Sequence, residues 1–268
     1  MIHGLSNIYL YAAKRVITYW KTSDGEIRKV PGTGFAVTHN EDIYLITNRH
    51  VAELSYTRPQ YTDNTLLYIE FEGYEDIDES NLPNKYTVAQ IVNGDEFVYH
   101  SNENNDIACL KNPRFKVKAS ESINIAAAIP FEMLAAKERL DKKLTVCDTV
   151  AYPGFPEWFD KKNRTPIFRM GTIASDPRFG YSPNTTAPDA DIIAYEGFSS
   201  NGASGSPVFA IQKGFKIGNG LKAPDDFYRE VMVVGINAGH YSGTEGHSGI
   251  SYFYKSSAIL EVIEKCNC

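Results

Sequence analysis

Short apolar runs, broken by polar and turn residues, recur along almost the whole chain. RVITYW (15–20), TGFAVTH (33–39), DIYLITN (42–48), TLLYIEFE (65–72), YTVAQIV (86–92), EFVYH (96–100) and DIACLK (106–111) form a first series. LTVCDTVAY (144–152), PIFRMGTI (166–173), DIIAYEG (191–197), SPVFAI (206–211), EVMVVGIN (230–237) and GISYFY (249–254) form a second. Their length and their Val, Ile, Thr, Tyr and Phe content predict β-strands. The turn residues between them fall at intervals suited to antiparallel barrels or sandwiches. Residues 112–143, with FEMLAAKERLDKK, are more polar and predict a partly helical bridge. SSAILEVIEK (256–265) places Ser ahead of apolar positions three and four apart, which predicts a terminal helix. The economical architecture is all-β: one barrel over 1–125, a second over 126–268, and a closing helix.

Composition narrows the partners. The 268 residues are 43% hydrophobic and 22% charged, ordinary values for a globular protein. A formal charge of −6 gives no general attraction to nucleic acid or anionic membranes. No run approaches the roughly 20 apolar residues of a membrane span. The start, MIHGLSNIYLYAAKRVITYW, lacks the pattern of a signal peptide, because Lys14 and Arg15 interrupt its apolar content. Cys109 and Cys147 sit in strand-like runs and read as buried thiols, while Cys266 and Cys268 read as a frayed, reduced tail. A reducing, cytoplasmic compartment is the expectation.

Three strand ends carry chemistry. NGASGSPVF (201–209) places Ser204 in a glycine-flanked turn before a strand. YLITNRHVAE puts His50 just past a strand, and NENNDIACLK puts Asp106 at the opening of another. A serine hydroxyl is a weak nucleophile until a base takes its proton. Histidine has the right affinity for that proton near neutral pH, and a carboxylate fixes its tautomer and steadies the imidazolium.

These segments resemble the chymotrypsin-like serine proteases, in the bacterial branch that includes the high-temperature-requirement proteases. The order His, Asp, Ser matches, at separations of 56 and 98 positions. GTGFAV (32–37), VAYPGFP (150–156), FRMGTIAS (168–175), VVGINAG (233–239) and GISYFYKSSAILEVI resemble further segments of that family in the same order. The resemblance runs from about residue 30 to the C-terminus. It implies two six-stranded antiparallel β-barrels with the active site between them, and a serine endopeptidase acting on polypeptides without a cofactor. By the same correspondence Ser204 attacks, His50 is base and then acid, and Asp106 orients His50. The N–H groups of Gly202 and Ser204 form the oxyanion hole. Ala238 and Gly239 pair with substrate backbone, flanked by Asn237 and His240, and Phe198 takes the floor of the first specificity pocket. Asn237 falls where relatives that cleave after glutamate or glutamine place a histidine.

The match has departures. Where secreted digestive relatives carry an acidic residue before the serine, this chain has Ala203, and it has no Ile-Val-Gly-Gly start. The oxyanion loop is therefore ordered by its own packing or by an activating partner. Ser206 is a rival nucleophile, set against Pro207. The alternative reading keeps the fold without the chemistry, as a pseudoprotease that binds peptides or proteins in its cleft. A serine esterase elbow requires glycine where Ser206 stands, and a lectin-like sandwich leaves His50 and Asp106 unexplained. EFEGYEDIDES (70–80) reads as a solvated acidic loop rather than a calcium site, lacking a D-x-D-x-D-G pattern. His3, His39, His100 and His247 have no zinc-ligand spacing. Asn163 and Asn184 head glycosylation-type triplets and read as loop residues.

Overall fold

Each predicted strand run finds a neighbour in the computed structural model, which describes residues 5–116, 123–214, 228–243 and 246–268. His3 and part of the 112–143 bridge lie outside the described residues. The first series pairs into one curled sheet. Its strands are β1 (Ala13–Thr22), β2 (Ile27–His39), β3 (Asp42–Thr47), β4 (Asn64–Ile77), β5 (Pro83–Ile91), β6 (Val98–Tyr99), β7 (Ala108–Lys111) and β8 (Phe115–Lys116). The order is β6-β7-β3-β2-β1-β4-β5-β8, and β9 (Ile129–Pro130), from the bridge, adds parallel to β2. The β2–β3 hairpin closes through Asn40 and Glu41, with Asn40 at φ 54°, a left-handed value that asparagine tolerates.

The second series closes on itself. Strands β10 (Thr149–Gly154), β11 (Ile167–Ile173), β12 (Ile192–Glu196), β13 (Pro207–Ala210), β14 (Met232–Gly243) and β15 (Gly246–Lys255) form a barrel in the order β10-β11-β12-β15-β14-β13. The all-β, chymotrypsin-like architecture with its C-terminal helix is thus the one observed. Its two halves differ: six strands close the second, whereas the first is a nine-stranded curled sheet.

Among the described residues there are three α-helices: α1 (Arg49–Ala52), α2 (Lys137–Lys143) in the bridge, and α3 (Ser256–Lys265). The buried positions of α3, Ser256, Ala258, Ile259, Val262 and Ile263, follow the helical period. Ser256 does not cap the helix as the sequence suggests; its hydroxyl donates to the Ala135 carbonyl at 2.6 Å. The apolar face of α3 enters one cluster with Tyr44, Ile46 and Ile107 of the first half and Phe209 and Ile236 of the second. Each large aliphatic side chain buried there contributes roughly 1.5–3 kcal/mol. The joint between the two halves is therefore core.

Three readings are corrected. The acidic 70–80 stretch begins as part of β4, with Glu72 paired to Arg15 and Tyr86, and Glu75 bonded to Lys85 and Thr87. The carboxylates of Glu72 and Glu75 are thus held by cross-strand partners, while those of Asp76, Asp78 and Glu79 are exposed. Cys147 is exposed at φ 65°, in a turn that ends before β10 begins. Cys266 is not frayed: it ends α3 half-buried, its thiol 3.9 Å from the carbonyl of buried Cys109. All four thiols are free.

Candidate active site

The His50 half of the candidate site is built at the mouth of β3. Asn48 follows the strand with extended backbone and starts α1, which is anchored by fully buried Val51 and by the Thr18 hydroxyl donating to its carbonyl at 2.7 Å. Asn48 leaves the helix end uncapped because its amide donates to the Asp106 carbonyl at 2.6 Å. His50 therefore leaves the sheet facing Asp106. One carboxylate oxygen accepts the His50 backbone N–H at 2.8 Å, and the other lies 2.5 Å from Nδ1. A carboxylate accepts only, so Nδ1 carries the proton and the Nε2 lone pair faces away from Asp106. The charge of Asp106 also reaches its neighbours. After burial it is the next cause that pushes Tyr56 up to about 12 and Tyr252 above the usual tyrosine range.

Loop 100–106 is tied to the second half. The Asn105 amide donates to the Asp191 carboxylate at 2.8 Å and accepts the Asp191 N–H at 2.8 Å. Buried His100 places Nε2 3.1 Å from Glu261 on α3. The sequence reading passed over Asn105 and Asp191. Their pairing spans 86 positions, and neither residue stands in a recognisable motif.

The Ser204 half of the candidate site is a glycine-framed turn. The Ala203 N–H donates to the Ser200 carbonyl at 3.0 Å, and Gly202 holds φ +89° at the third position of that turn. A positive φ there is the mark of a type II turn, whose central peptide is flipped relative to type I. A Cβ on Gly202 would also lie 2.4 Å from the Phe155 carbonyl. Gly205 repeats the theme at φ +92°, with space for a Cβ only 1.7 Å from the Thr33 carbonyl. Thr33 enters from the first sheet: its hydroxyl donates to the Gly202 carbonyl at 2.7 Å, and its N–H to the Ser204 carbonyl at 2.7 Å. The Ser204 hydroxyl donates to the Ala238 carbonyl at 2.8 Å, and not to His50. Ser206 is fully buried, so its hydroxyl is out of reach of a substrate.

The remaining predicted residues divide. Pairing of β13 with β14 ends at Ile236, so Ala238, Gly239 and His240 have a free edge beside Ser204. His240 is exposed and stacks on His247 at 4.3 Å. Phe198 lies against His247 at 4.8 Å and is 58% exposed. Asn237 is fully buried, its side chain directed to residues of the second barrel. Its amide donates to the Ala203 carbonyl at 3.0 Å and the Ser199 hydroxyl at 2.9 Å, and accepts from the Tyr195 hydroxyl at 2.7 Å. Burial, then His240 and Arg169, hold the pKa of His247 below the usual histidine value. Among the described residues no group of His, Cys, Asp and Glu could hold a metal ion, and no helix is long and apolar enough to cross a membrane.

A family model for the trypsin-like peptidase domain matches residues 32–218. Solved structures share the fold. HtrA-type protease AlgW with tripeptide aligns at TM-score 0.53 and 17% identity, over 97% of this chain and 62% of that one. A variant of AlgW with decapeptide aligns at 0.55 and 16%, over 97% and 66%. This chain thus spans less than two thirds of the length of either, and the likeness speaks for the fold alone. No curated protein matches this chain.

Proposed function

Since the chain belongs to the trypsin-like peptidase family, we propose that it is a serine endopeptidase with Ser204 as nucleophile, His50 as base and then acid, and Asp106 as the group that orients His50. The observation that carries this reading is the double engagement of His50 by Asp106, which leaves Nε2 free to take a proton. Rotation about the Cα–Cβ bond of Ser204 moves its hydroxyl from the Ala238 carbonyl towards Nε2. The oxygen then attacks the substrate carbonyl carbon as its proton passes to His50. The Gly202 and Ser204 N–H groups stabilise the oxyanion. Collapse breaks the C–N bond, the leaving amine takes the proton from His50, and water releases the acyl group by the same route. The substrate is an extended polypeptide added to the free edge of β14, consistent with the peptides named with the AlgW structures. Phe198 and His240 form the rim beside its first side chain. Residues 1–125 and 126–268 are the two functional halves, and the reaction runs on side chains, backbone donors and water.

One observation favours a second reading. With its hydroxyl on Ala238, Ser204 is not yet engaged with the base, as expected of a peptide-binding pseudoprotease or of an enzyme awaiting an activating partner. A fluorescent fluorophosphonate separates the readings. The expected result is labelling of wild type and Ser206→Ala, with none of Ser204→Ala or His50→Ala. Folded wild-type protein that resists the probe supports a pseudoprotease or an enzyme awaiting its activator, and turns the search from substrates to partners.

A further inference from the structure

We infer that Asn237 is a positioning residue: its buried amide turns the peptide between Ala203 and Ser204 so that the Ser204 N–H faces the cleft. The inference rests on the reading of Ser204 as nucleophile and names what orders its loop. A trans peptide points its C=O and N–H in opposite directions. The Ala203 carbonyl is drawn into the barrel by the Asn237 amide at 3.0 Å, so the N–H of the same peptide is directed the other way, out of the barrel.

The amide has no freedom to reverse. Its oxygen accepts from the Tyr195 hydroxyl at 2.7 Å, and its nitrogen faces the Ala203 carbonyl, which only accepts. The second amide hydrogen goes to the Ser199 hydroxyl at 2.9 Å. The backbone of Asn237 joins the same arrangement, accepting the Gly205 N–H at 2.8 Å and donating to the Ser206 carbonyl at 2.8 Å. Five hydrogen bonds from one fully buried residue thus brace the turn from within the second barrel. Thr33 holds the alternate peptides, through the Gly202 and Ser204 carbonyls, from the first sheet.

This bracing stands where Ala203, itself buried, offers no charge for an activating ion pair. Loop order therefore comes from neutral hydrogen bonds present in the uncut chain, and no proteolytic switch is needed to create it. The Ala203 carbonyl also accepts the Ser206 N–H at 3.2 Å, so the Asn237 amide is the one side-chain donor beside a backbone one.

Asn237→Asp keeps the shape and removes both amide donors, and Tyr195→Phe removes the bond that sets the amide's direction. The expected result is a fall in kcat of about 10–100-fold for Asn237→Asp and about 3–10-fold for Tyr195→Phe, with KM unchanged. Affinity for a peptide boronate, which mimics the oxyanion, falls in step with kcat, while affinity for a product peptide holds. Equal losses of boronate and product-peptide binding, or no loss in either variant, overturn the inference. Should Asn237→Asp fail to fold, Tyr195→Phe decides it alone. Should wild type neither hydrolyse peptides nor label, the enzymatic reading fails. The crystal structure of Tyr195→Phe then decides the positioning claim: a reversed 203–204 peptide supports it, and an unchanged one overturns it.

Discussion

The His50 half and the Ser204 half of the candidate site, the proposed base and nucleophile, are assembled by different means. His50, in α1 just past β3, and Asp106, just before β7, flank two strands that pair with each other. Their contact is direct, through two hydrogen bonds between the two residues themselves. Ser204 sits in a turn whose conformation is imposed by distant residues: Thr33 from the other sheet, and Asn237 from a strand 34 positions on. A residue at a strand end inherits its direction from the ladder beneath it, whereas a turn with alternative peptide orientations needs outside contacts to choose among them. The His50–Asp106 contact lies within the first half, although the loop that carries Asp106 is also tied to Asp191. The Ser204 turn, in contrast, takes its conformation from both halves at once.

Disrupting each half should expose this difference. Asp106→Asn leaves the fold in place but removes the acceptor that holds the proton on Nδ1. Expected is a loss of about 10⁴ in kcat, the scale seen in another triad protease, with the melting temperature changed far less. Steady-state hydrolysis beside calorimetry checks it. Gly202→Ala strikes the other half, where the added methyl meets the Phe155 carbonyl at a φ that disfavours any side chain. Turning that peptide over removes one oxyanion donor, and kcat should fall by about 10²–10³ with KM little altered. A fall as large as that of Asp106→Asn would mean that the turn also displaces Ser204, tying the halves more closely than their separate bonding suggests.

The smallest effect is expected at the rim of the nucleophile half. The pKa of His247 is lowered by burial, then by His240 and Arg169, so the folded protein resists its protonation. The unfolded chain binds the extra proton more readily. The stability tied to His247 is therefore intact above the ordinary histidine range near 6.5 and is lost as pH falls below it. Thermal melts from pH 7.5 to 5 should show a shallower decline for His247→Gln than for wild type. Identical slopes would remove His247 from the account.

Much of this was legible in the chain itself, for reasons particular to each residue. The run DIYLITN ending at NRH placed His50 at a strand exit, and DIACLK placed Asp106 at a strand entry. Gly202 and Gly205 are required by positive φ and close backbone approach, constraints that glycine advertises. What the sequence left open is largely side-chain direction. Asn237 is a polar residue of β14, and only the structure shows its amide on the Ala203 carbonyl. Phe198 was counted into a pocket from its spacing to Ser204, and its ring is 58% exposed. Cys147 stands in an apolar run whose strand begins two residues later.

The sequence by itself determined the strands, the terminal helix, the order of the three reactive residues and the glycines their turn requires. These follow from periodicity, from backbone preference and from the chemistry of single side chains, all properties carried by neighbouring residues. Only the tertiary structure decided that Asn105 would meet Asp191, that Thr33 would grip Gly202, and that the Asn237 amide would hold the Ala203 carbonyl. Those contacts join residues 34 to 169 positions apart. Their existence depends on how two separately patterned halves close on a shared core, a relation that no local stretch of sequence encodes.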